Sequence, residues 1–261
     1  MNPLNTFKEV QLMKISGNTI LITGGATGIG YELAKQFLEA GNEVIICGRR
    51  EIRLLEAKKN LPELHIKVCD VADENDRKKL FNWISDNFSD LNVLINNAGI
   101  QRDIDFTKGT EDLLSGEDEI KINLEAPIFL SALFIPFLKG KEGAAIINVS
   151  SGLAFTPLAR VPIYCATKAA LHSFCITLRY QLRNMGIDVS EVIPPIVDTE
   201  LNQEGREKIG FVAELKPDEF VSAVIKDLEN DKFEIGYQMS EMGRKSSREE
   251  LDAVFQRMNP V

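Results

Sequence analysis

The chain predicts an α/β protein: a doubly wound parallel sheet of about seven strands with helices on both faces. Three observations carry that expectation. Short runs rich in Ile and Val recur without polar alternation, as strands buried on both faces do. Segments with apolar residues at helical spacing separate them, so strand and helix alternate along the chain. Glycine-, asparagine-, serine- and proline-bearing segments then fall at what would be the carboxyl ends of those strands, the rim where such sheets bind ligands.

The elements follow in order. Thr19–Thr23 is a short apolar strand, and 29–40 is a helix with Ile29, Leu33, Phe37 and Ala40 on one side and Gly41 as its stop. Strand 43–47 leads into a charged helix over 51–60, ended by Pro62. Strand 65–69, helix 74–88 and strand 93–96 come next. A long helix is predicted over 117–138, with a kink at Pro127 and a late break at Pro136. Strand 145–149, a long helix over 161–185, strand 188–193, helix 217–230, strand 233–237 and a closing helix over 248–258 complete the pattern. Residues 1–12 are polar and irregular and read as a flexible N-terminal extension, which leaves 13–261 as one domain.

Composition narrows the function classes. The chain has 261 residues, 30 Lys and Arg against 39 Asp and Glu, and a formal charge of −9, which argues against a nucleic-acid footprint and against docking on anionic lipid. No apolar run reaches the ~20 residues of a membrane span and no signal peptide is visible, so membrane insertion is not expected and a cytoplasmic protein is. Two histidines, His65 and His172, are too few and too separated for zinc, and no metal site is expected. The cysteines at 47, 69, 165 and 175 form no C-x-x-C pair. Three read as small buried hydrophobes; Cys165 stands out by adjoining Tyr164, with only Lys168 near enough in sequence to favour a thiolate.

Two segments carry chemistry. Thr23-Gly24-Gly25-Ala26-Thr27-Gly28-Ile29-Gly30 leaves a strand and opens a helix. Gly24 suits the sharp turn, Gly28 suits close approach to a pyrophosphate, and Gly30 suits tight packing of helix on sheet. The helix N-terminus offers free N–H groups to the anion. A glycine triplet alone is weak and could be a turn without a ligand; the strand before it and the helix after it favour a dinucleotide site. The second segment is Tyr164-Cys165-Ala166-Thr167-Lys168, with Ser151 thirteen residues upstream. A phenol and an ammonium four apart on a helix share a face. Together the two segments predict hydride transfer between a nicotinamide and a carbonyl or alcohol.

Cofactor choice rests on the end of the second strand. Cys47-Gly48-Arg49-Arg50 has no carboxylate before Glu51, and arginine can hold a 2′-phosphate through paired N–H groups. NADP is therefore expected over NAD, with Arg49 as the main contact and Arg50 beside it; the bland alternative is two solvated residues at a helix start. Asp70-Val71 follows the third strand, where a carboxylate could accept from the adenine amino group, although capping of the next helix competes and Asp73 is better placed for it.

These residues make the chain resemble the short-chain dehydrogenase/reductase family, in its compact one-domain, Rossmann-type form, over roughly 19–237. The ordered motifs are T-G-x-x-x-G-x-G at 23–30, Asp70-Val71, Asn96-Asn97-Ala98-Gly99, Asn123, Ser151 and Y-x-x-x-K at 164–168. The stretches 164–173 and 196–202 resemble the DltE-like oxidoreductases. The resemblance implies that Thr23, Gly24, Thr27, Gly28, Ile29 and Gly30, with Asn97, Ala98 and Gly99, line the cofactor. Tyr164 is then the acid–base. Lys168 lowers its pKa from the free value near ~10 and holds the nicotinamide ribose. Ser151 orients the substrate oxygen, and Asn123 binds a water linking Lys168 to solvent; a buried amide bonding backbone is the plainer reading of Asn123. Ser150 reads as structural. The family usually has Pro-Gly after the sixth strand, whereas Pro194-Pro195 stands here and removes any contact the glycine N–H would make. Val197 and Thr199 still match positions that contact the carboxamide.

Gln101, Arg102, Leu153, Phe155 and Leu158 are the expected neighbours of substrate, with 200–214 as a lid. A medium-sized ketone, aldehyde or hydroxylated compound fits such a wall. A homodimer or homotetramer formed through the two long helices is implied by the family; Ala169, Ala170, Phe174, Leu178 and Leu182 could serve it, or could face the chain's own sheet. The competing functional reading is an NADPH-binding regulatory or scaffold protein with vestigial catalysis. A nucleotide-sugar epimerase would need a larger C-terminal domain than the ~60 residues after the sixth strand supply.

Overall fold

Alternating Ile, Leu and Val side chains give the strands two buried faces, and a single parallel sheet results. In the computed structural model, which describes residues 14–208, 210 and 212–259, the strands are β1 (Thr19–Thr23), β2 (Glu43–Gly48), β3 (His65–Val68), β4 (Val93–Asn96), β5 (Ala145–Val149), β6 (Asp188–Ile193) and β7 (Glu234–Gly236). Their order is β3-β2-β1-β4-β5-β6-β7, all parallel. The chain steps outward from β1 to β3, then returns to the other side of β1 with β4. The switch point therefore lies between β1 and β4, and a crevice opens at their carboxyl ends. The expected extension over 1–12 lies outside the described residues.

The helices are α1 (Gly28–Glu39), α2 (Glu51–Asn60), α3 (Glu74–Asn87), α4 (Glu111–Leu114), α5 (Ala126–Leu138), α6 (Pro162–Leu182), α7 (Gln203–Lys208), α8 (Pro217–Glu229), α9 (Met239–Lys245) and α10 (Arg248–Met258). One face of the sheet sets Ile20, Ile22, Val44 and Ile46 against Leu33 and Phe37 of α1 and Phe220 and Val224 of α8. The other sets Leu21, Ile45, Leu94 and Ile146 against Leu80 of α3, Leu130 and Phe134 of α5 and Leu178 of α6. Each such side chain contributes roughly 1.5–3 kcal/mol when fully buried, and this double-sided burial is why the strands show no polar alternation.

Local signals set several ends. Asp73 accepts from the Asp76 N–H at 2.8 Å and caps α3, as its position suggested. Ser247 and Glu250 form a capping box for α10. The expected helix over 117–138 is interrupted: Lys121–Glu125 forms a π-helical turn just before Pro127, and the helix then continues past Pro136 to Leu138. Pro127 has no N–H to give the preceding turn and its ring crowds the carbonyl four residues back, so the irregularity falls just before it. Lys121–Leu138 is long and apolar enough to cross a membrane by composition. Ile122, Ala126, Leu130, Phe134 and Leu138 within it pack on the sheet as a core helix does.

On α6, Leu178 and Leu182 are core residues and Phe174 packs against them, so these face the chain's own sheet while Ala169 stays exposed. All four cysteines are buried and free. The Cys165 sulfur accepts from the Leu158 N–H at 3.3 Å, and burial raises its thiol pKa, which suits a packing residue.

Candidate active site

The crevice is built first from residues that lack side chains. Gly24 leaves β1 with φ of +64°, and a Cβ there would lie 2.8 Å from the Ala98 Cα. Gly28 opens α1 with φ of +57°, and its missing Cβ leaves room for the Thr199 methyl group, which would be 3.1 Å away. Thr199 thus faces the α1 N-terminus across a narrow cleft. Gly30 is demanded by space: a Cβ would be 2.4 Å from both Asn97 Nδ2 and the Gly24 carbonyl oxygen. Its closest constraint is therefore the Asn97 amide rather than the sheet surface expected from the sequence.

Asn97 and Thr23 fasten the two walls together. Asn97 Nδ2 donates to the Thr23 and Gly24 carbonyls at 3.0 and 3.1 Å. Thr23 Oγ1 accepts the Asn97 and Ala98 N–H groups at 3.0 and 3.1 Å. Thr23 is buried and its role here is to brace the crevice, while Ile29 is half-buried and packs on the core. Thr27 precedes α1 in extended conformation without a side-chain cap, and no acidic residue stands in the first turn. The helix's positive end is therefore uncompensated and suited to an anion.

Beyond β2, both arginines carry carboxylates from distant segments. Arg49 is paired with Glu117 through both Nη atoms, one of them at 2.8 Å, and Arg50 and Arg53 reach Glu200 at 3.4 and 3.1 Å. Asp70 Oδ1 accepts the Ala72 N–H at 2.9 Å, shaping the turn after β3, and Val71 is buried. Val197 is buried in the core beside the cleft.

The side chains expected to be catalytic stand just past β5 and in the first two turns of α6. Ser151 stands two residues past the end of β5, and its Oγ accepts the Leu153 N–H at 3.1 Å. Tyr164 is 5 % exposed. Its phenol is pushed up to about 12, chiefly by burial, with Ser151 opposing and Cys165 and Glu119 adding to it; the lowering expected from Lys168 is not among the causes. Lys168 Nζ donates to the Val149 carbonyl at 2.8 Å and lies 5.6 Å from the Tyr164 ring centroid. Burial lowers its ammonium to about 8, against the pull of Cys175 and Glu191. A Cβ on Gly99 would lie 3.4 Å from Asn123 Oδ1 and 3.6 Å from Lys168 Nζ, so the loop after β4 closes over both.

Asn123 sits within the π turn, fully buried. It exchanges hydrogen bonds with the Ile100 backbone at 2.9 and 2.8 Å and donates to Thr167 Oγ1 at 3.3 Å. Thr167 Oγ1 donates in turn to the Tyr164 carbonyl at 2.7 Å. Both amide hydrogens have protein acceptors, so the side chain ties the Ile100 loop to α6 and leaves no amide hydrogen for the water expected there. Ser150 donates from its backbone to Val192 and is structural.

On the substrate side, Leu153, Leu158 and Leu201 pack around Val161, Tyr164 and Cys165. Leu201 brings the start of the expected lid to this wall. Phe155 instead stacks edge-on against His172 at 4.7 Å. An open apolar cleft of about 410 Å³ lies between the 153–159 loop, α6 and Phe255 of α10. Asn259, at the end of α10, donates to the Pro157 carbonyl at 3.1 Å and accepts the Ala159 N–H at 2.6 Å, holding that helix against the loop.

Four acidic residues escaped the sequence reading: Glu117 and Glu200 on the arginines, Glu191 on His172 at 2.7 Å, and the buried Glu119 on the Arg102 N–H at 3.2 Å. Only Glu119 had a usable signal, its place one helical turn before Asn123. The others are long-range pairings.

Comparison with known proteins agrees with this geometry. The family model for short chain dehydrogenase matches residues 18–210. The oxidoreductase DltE of Bacillus subtilis (strain 168) is 53 % identical over 248 residues, covering 95 % of this chain and 98 % of that protein. A short chain dehydrogenase from Burkholderia cenocepacia solved with NADP superposes with a TM-score of 0.77 at 26 % identity, covering 93 % of this chain and 99 % of the other. One from Burkholderia phymatum solved with NAD gives 0.82 at 19 % identity, covering 96 % and 98 %, which shows the fold. The glycine turn at the switch point and the serine, tyrosine and lysine beside it thus belong to an oxidoreductase of the short-chain dehydrogenase family, in its DltE-like branch.

Proposed function

We propose that the protein transfers hydride between NADP(H) and a small carbonyl or alcohol, with Tyr164 as the acid–base. The observation that carries this reading is the buried Tyr164 phenol, influenced by Ser151 and one helical turn from Lys168, whose Nζ lies against the Gly99 loop after β4. The residues present fit a dinucleotide: the uncapped α1 N-terminus and Gly28 suit its pyrophosphate, Arg49 and Arg50 a 2′-phosphate, and Thr199 with Val197 the carboxamide end. The bound nicotinamide supplies the hydride.

The chain's own residues supply the proton and the geometry. A phenol near about 12 is neutral at physiological pH, the form that donates to a carbonyl oxygen during reduction. Ser151 holds the same oxygen and orients the carbonyl carbon. Lys168, near about 8, is a buried cation that offsets the phenolate left behind and can pass on a proton. Asn123 fixes the Tyr164 turn of α6 through Thr167. The exposed Ala169 and Ile176 of α6 and Phe129 of α5 support pairing of two copies through these helices, which light scattering measures.

The test is a panel of ketones, aldehydes and alcohols followed by NADPH absorbance, with Tyr164→Phe alongside. Turnover that Tyr164→Phe abolishes supports the reading. Tight NADPH binding without turnover across the panel favours the regulatory alternative.

A further inference from the structure

A carboxylate that follows β6 meets arginines that follow β2. Glu200 Oε2 lies 3.4 Å from Arg50 Nη1, and Glu200 Oε1 lies 3.1 Å from Arg53 Nη2. Strands β1, β4 and β5 stand between β2 and β6, a span of roughly 19 Å at the usual strand spacing. The ion pairs therefore join the two sides of the switch-point crevice. Thr199, one residue before Glu200, meets the α1 N-terminus, where a Cβ on Gly28 would lie 3.1 Å from its methyl group. Leu201, one residue after it, packs on the Tyr164 wall. Arg50, Arg53 and Glu200 are 51 %, 40 % and 46 % exposed, so the link runs along the outer rim, open to solvent. The chain beyond it is fastened on the substrate side: Asn202 Nδ2 donates to Asp103 Oδ1 at 3.0 Å, and Arg160 Nη2 to the Gly205 carbonyl at 2.6 Å.

An exposed ion pair adds little to stability, so the fold does not depend on this one. Its place across the crevice gives it leverage over whatever enters or leaves. We propose that Glu200 and Arg53 form a clasp over the bound dinucleotide, opening to admit it and closing to retain it. Both residues thereby join the cofactor site. This rests on the reading of the crevice as a dinucleotide site, and it adds control of exchange to that reading. A 2′-phosphate at Arg49 and Arg50 takes Arg50 from Glu200 and leaves Arg53 to hold the carboxylate. Arg53 also pairs with Glu56 at 3.1 Å, but through Nη1, so Nη2 stays with Glu200. The clasp therefore serves NADH and NADPH alike, unlike a residue that reads the phosphate.

Stopped-flow fluorescence of NADH and NADPH binding tests the clasp without any substrate. Glu200→Gln and Arg53→Gln should each raise both the association and the dissociation rate of NADH about three- to fivefold, the scale of one exposed ion pair. The Kd should stay within about twofold, because a gate acts on both directions. The double variant should exceed neither single one, since each removes the same link. NADPH rates should move the same way. Molar salt should close the gap between wild type and variants by screening the pair. Unchanged NADH rates overturn the proposal. So does a rise in dissociation alone, the mark of an ordinary contact, or an effect confined to NADPH, the mark of a competitor for Arg50. Wild type that binds neither dinucleotide overturns the cofactor reading instead, which keeps the two failures apart.

Discussion

The two halves of the crevice are built on opposite principles. On the side of β1, β2 and the glycine turn, Thr23 and Asn97 pair with backbone groups, and close backbone approach fixes the geometry. On the side of β4, β5 and β6, four buried side-chain atoms lack a partner among the described residues: Asn96 Oδ1, Asn148 Nδ2, Glu191 Oε1 and Glu119 Oε2. Three of these residues lie in one row, since Asn96 is in register with Asn148 and Asn148 with Glu191. Tyr164, Lys168 and Glu119, all with displaced pKa values, belong to the same half. A saturated hydrogen-bond network makes a rigid cradle, whereas unsatisfied buried groups are poised to react or to bind. On the proposed function, binding belongs to the first half and chemistry to the second, and mutations can test that separation.

The largest effect should come from the chemical half. Tyr164→Phe removes the proposed proton donor without touching the glycine turn, and kcat should fall about a thousandfold. NADPH affinity, measured by fluorescence titration, should stay within about twofold, since on the order of 0.4 kcal/mol is all that such a change represents. A comparable loss of NADPH affinity would break the separation.

Glu119 reports on the same half through stability. Its carboxyl is raised from 4.5 to about 7 by burial, so the folded state holds the proton more tightly than the unfolded one. Stability is therefore fully present below the unfolded value and declines as pH rises from about 4.5 through 7, by on the order of 3 kcal/mol. Glu119→Gln abolishes this slope. The variant should melt higher than wild type at pH 8 and close to it at pH 4.5, by calorimetry. Parallel melting curves across that range would place the carboxyl in contact with water.

In the cradle half the sensitive position is Gly30. A Cβ there meets Asn97 Nδ2 and a backbone carbonyl, and the carbonyl cannot swing aside. Gly30→Ala should cost about 1–3 kcal/mol by overpacking. It should also weaken NADPH binding, while kcat at saturating cofactor changes little. Full NADPH affinity in a stable Gly30→Ala protein would show a softer cradle than the hydrogen bonds indicate.

The same contrast explains what the sequence disclosed. The cradle depends on backbone, and backbone leaves local marks: Gly24 and Gly28 stand where positive φ is needed, and the strand–turn–helix order around them is readable. Tyr164 and Lys168 were legible for a related reason, because four residues on one helix fix their relation. The π turn at Lys121–Glu125 was not, since a change of helical pitch has no periodic signature there; Pro127 only hinted at it. Nor were Glu117 and Glu200 on the arginines, which join positions 68 and 150 residues apart through exposed side chains. The short helices α4 and α9 carry too few residues for a pattern.

The smallest effect probes that last omission. Arg49 and Glu117 are each nearly half exposed, at 41 % and 45 %, and such a pair contributes only about 0–1 kcal/mol. A 2′-phosphate reaching Arg49 must displace Glu117, so the net gain from the phosphate is smaller than the bare Arg–phosphate contact suggests. Arg49→Gln should raise the Kd for NADPH about fivefold and leave that for NADH unchanged, a difference on the order of 1 kcal/mol. Glu117→Gln should act in the opposite sense, tightening NADPH about two- to threefold, again without moving NADH, because a competitor for Arg49 is gone. Both shifts should shrink as salt is raised from low to molar concentration, since the charges are exposed. Equal effects on the two dinucleotides would remove Arg49 from phosphate recognition and leave the cradle's preference to its backbone alone.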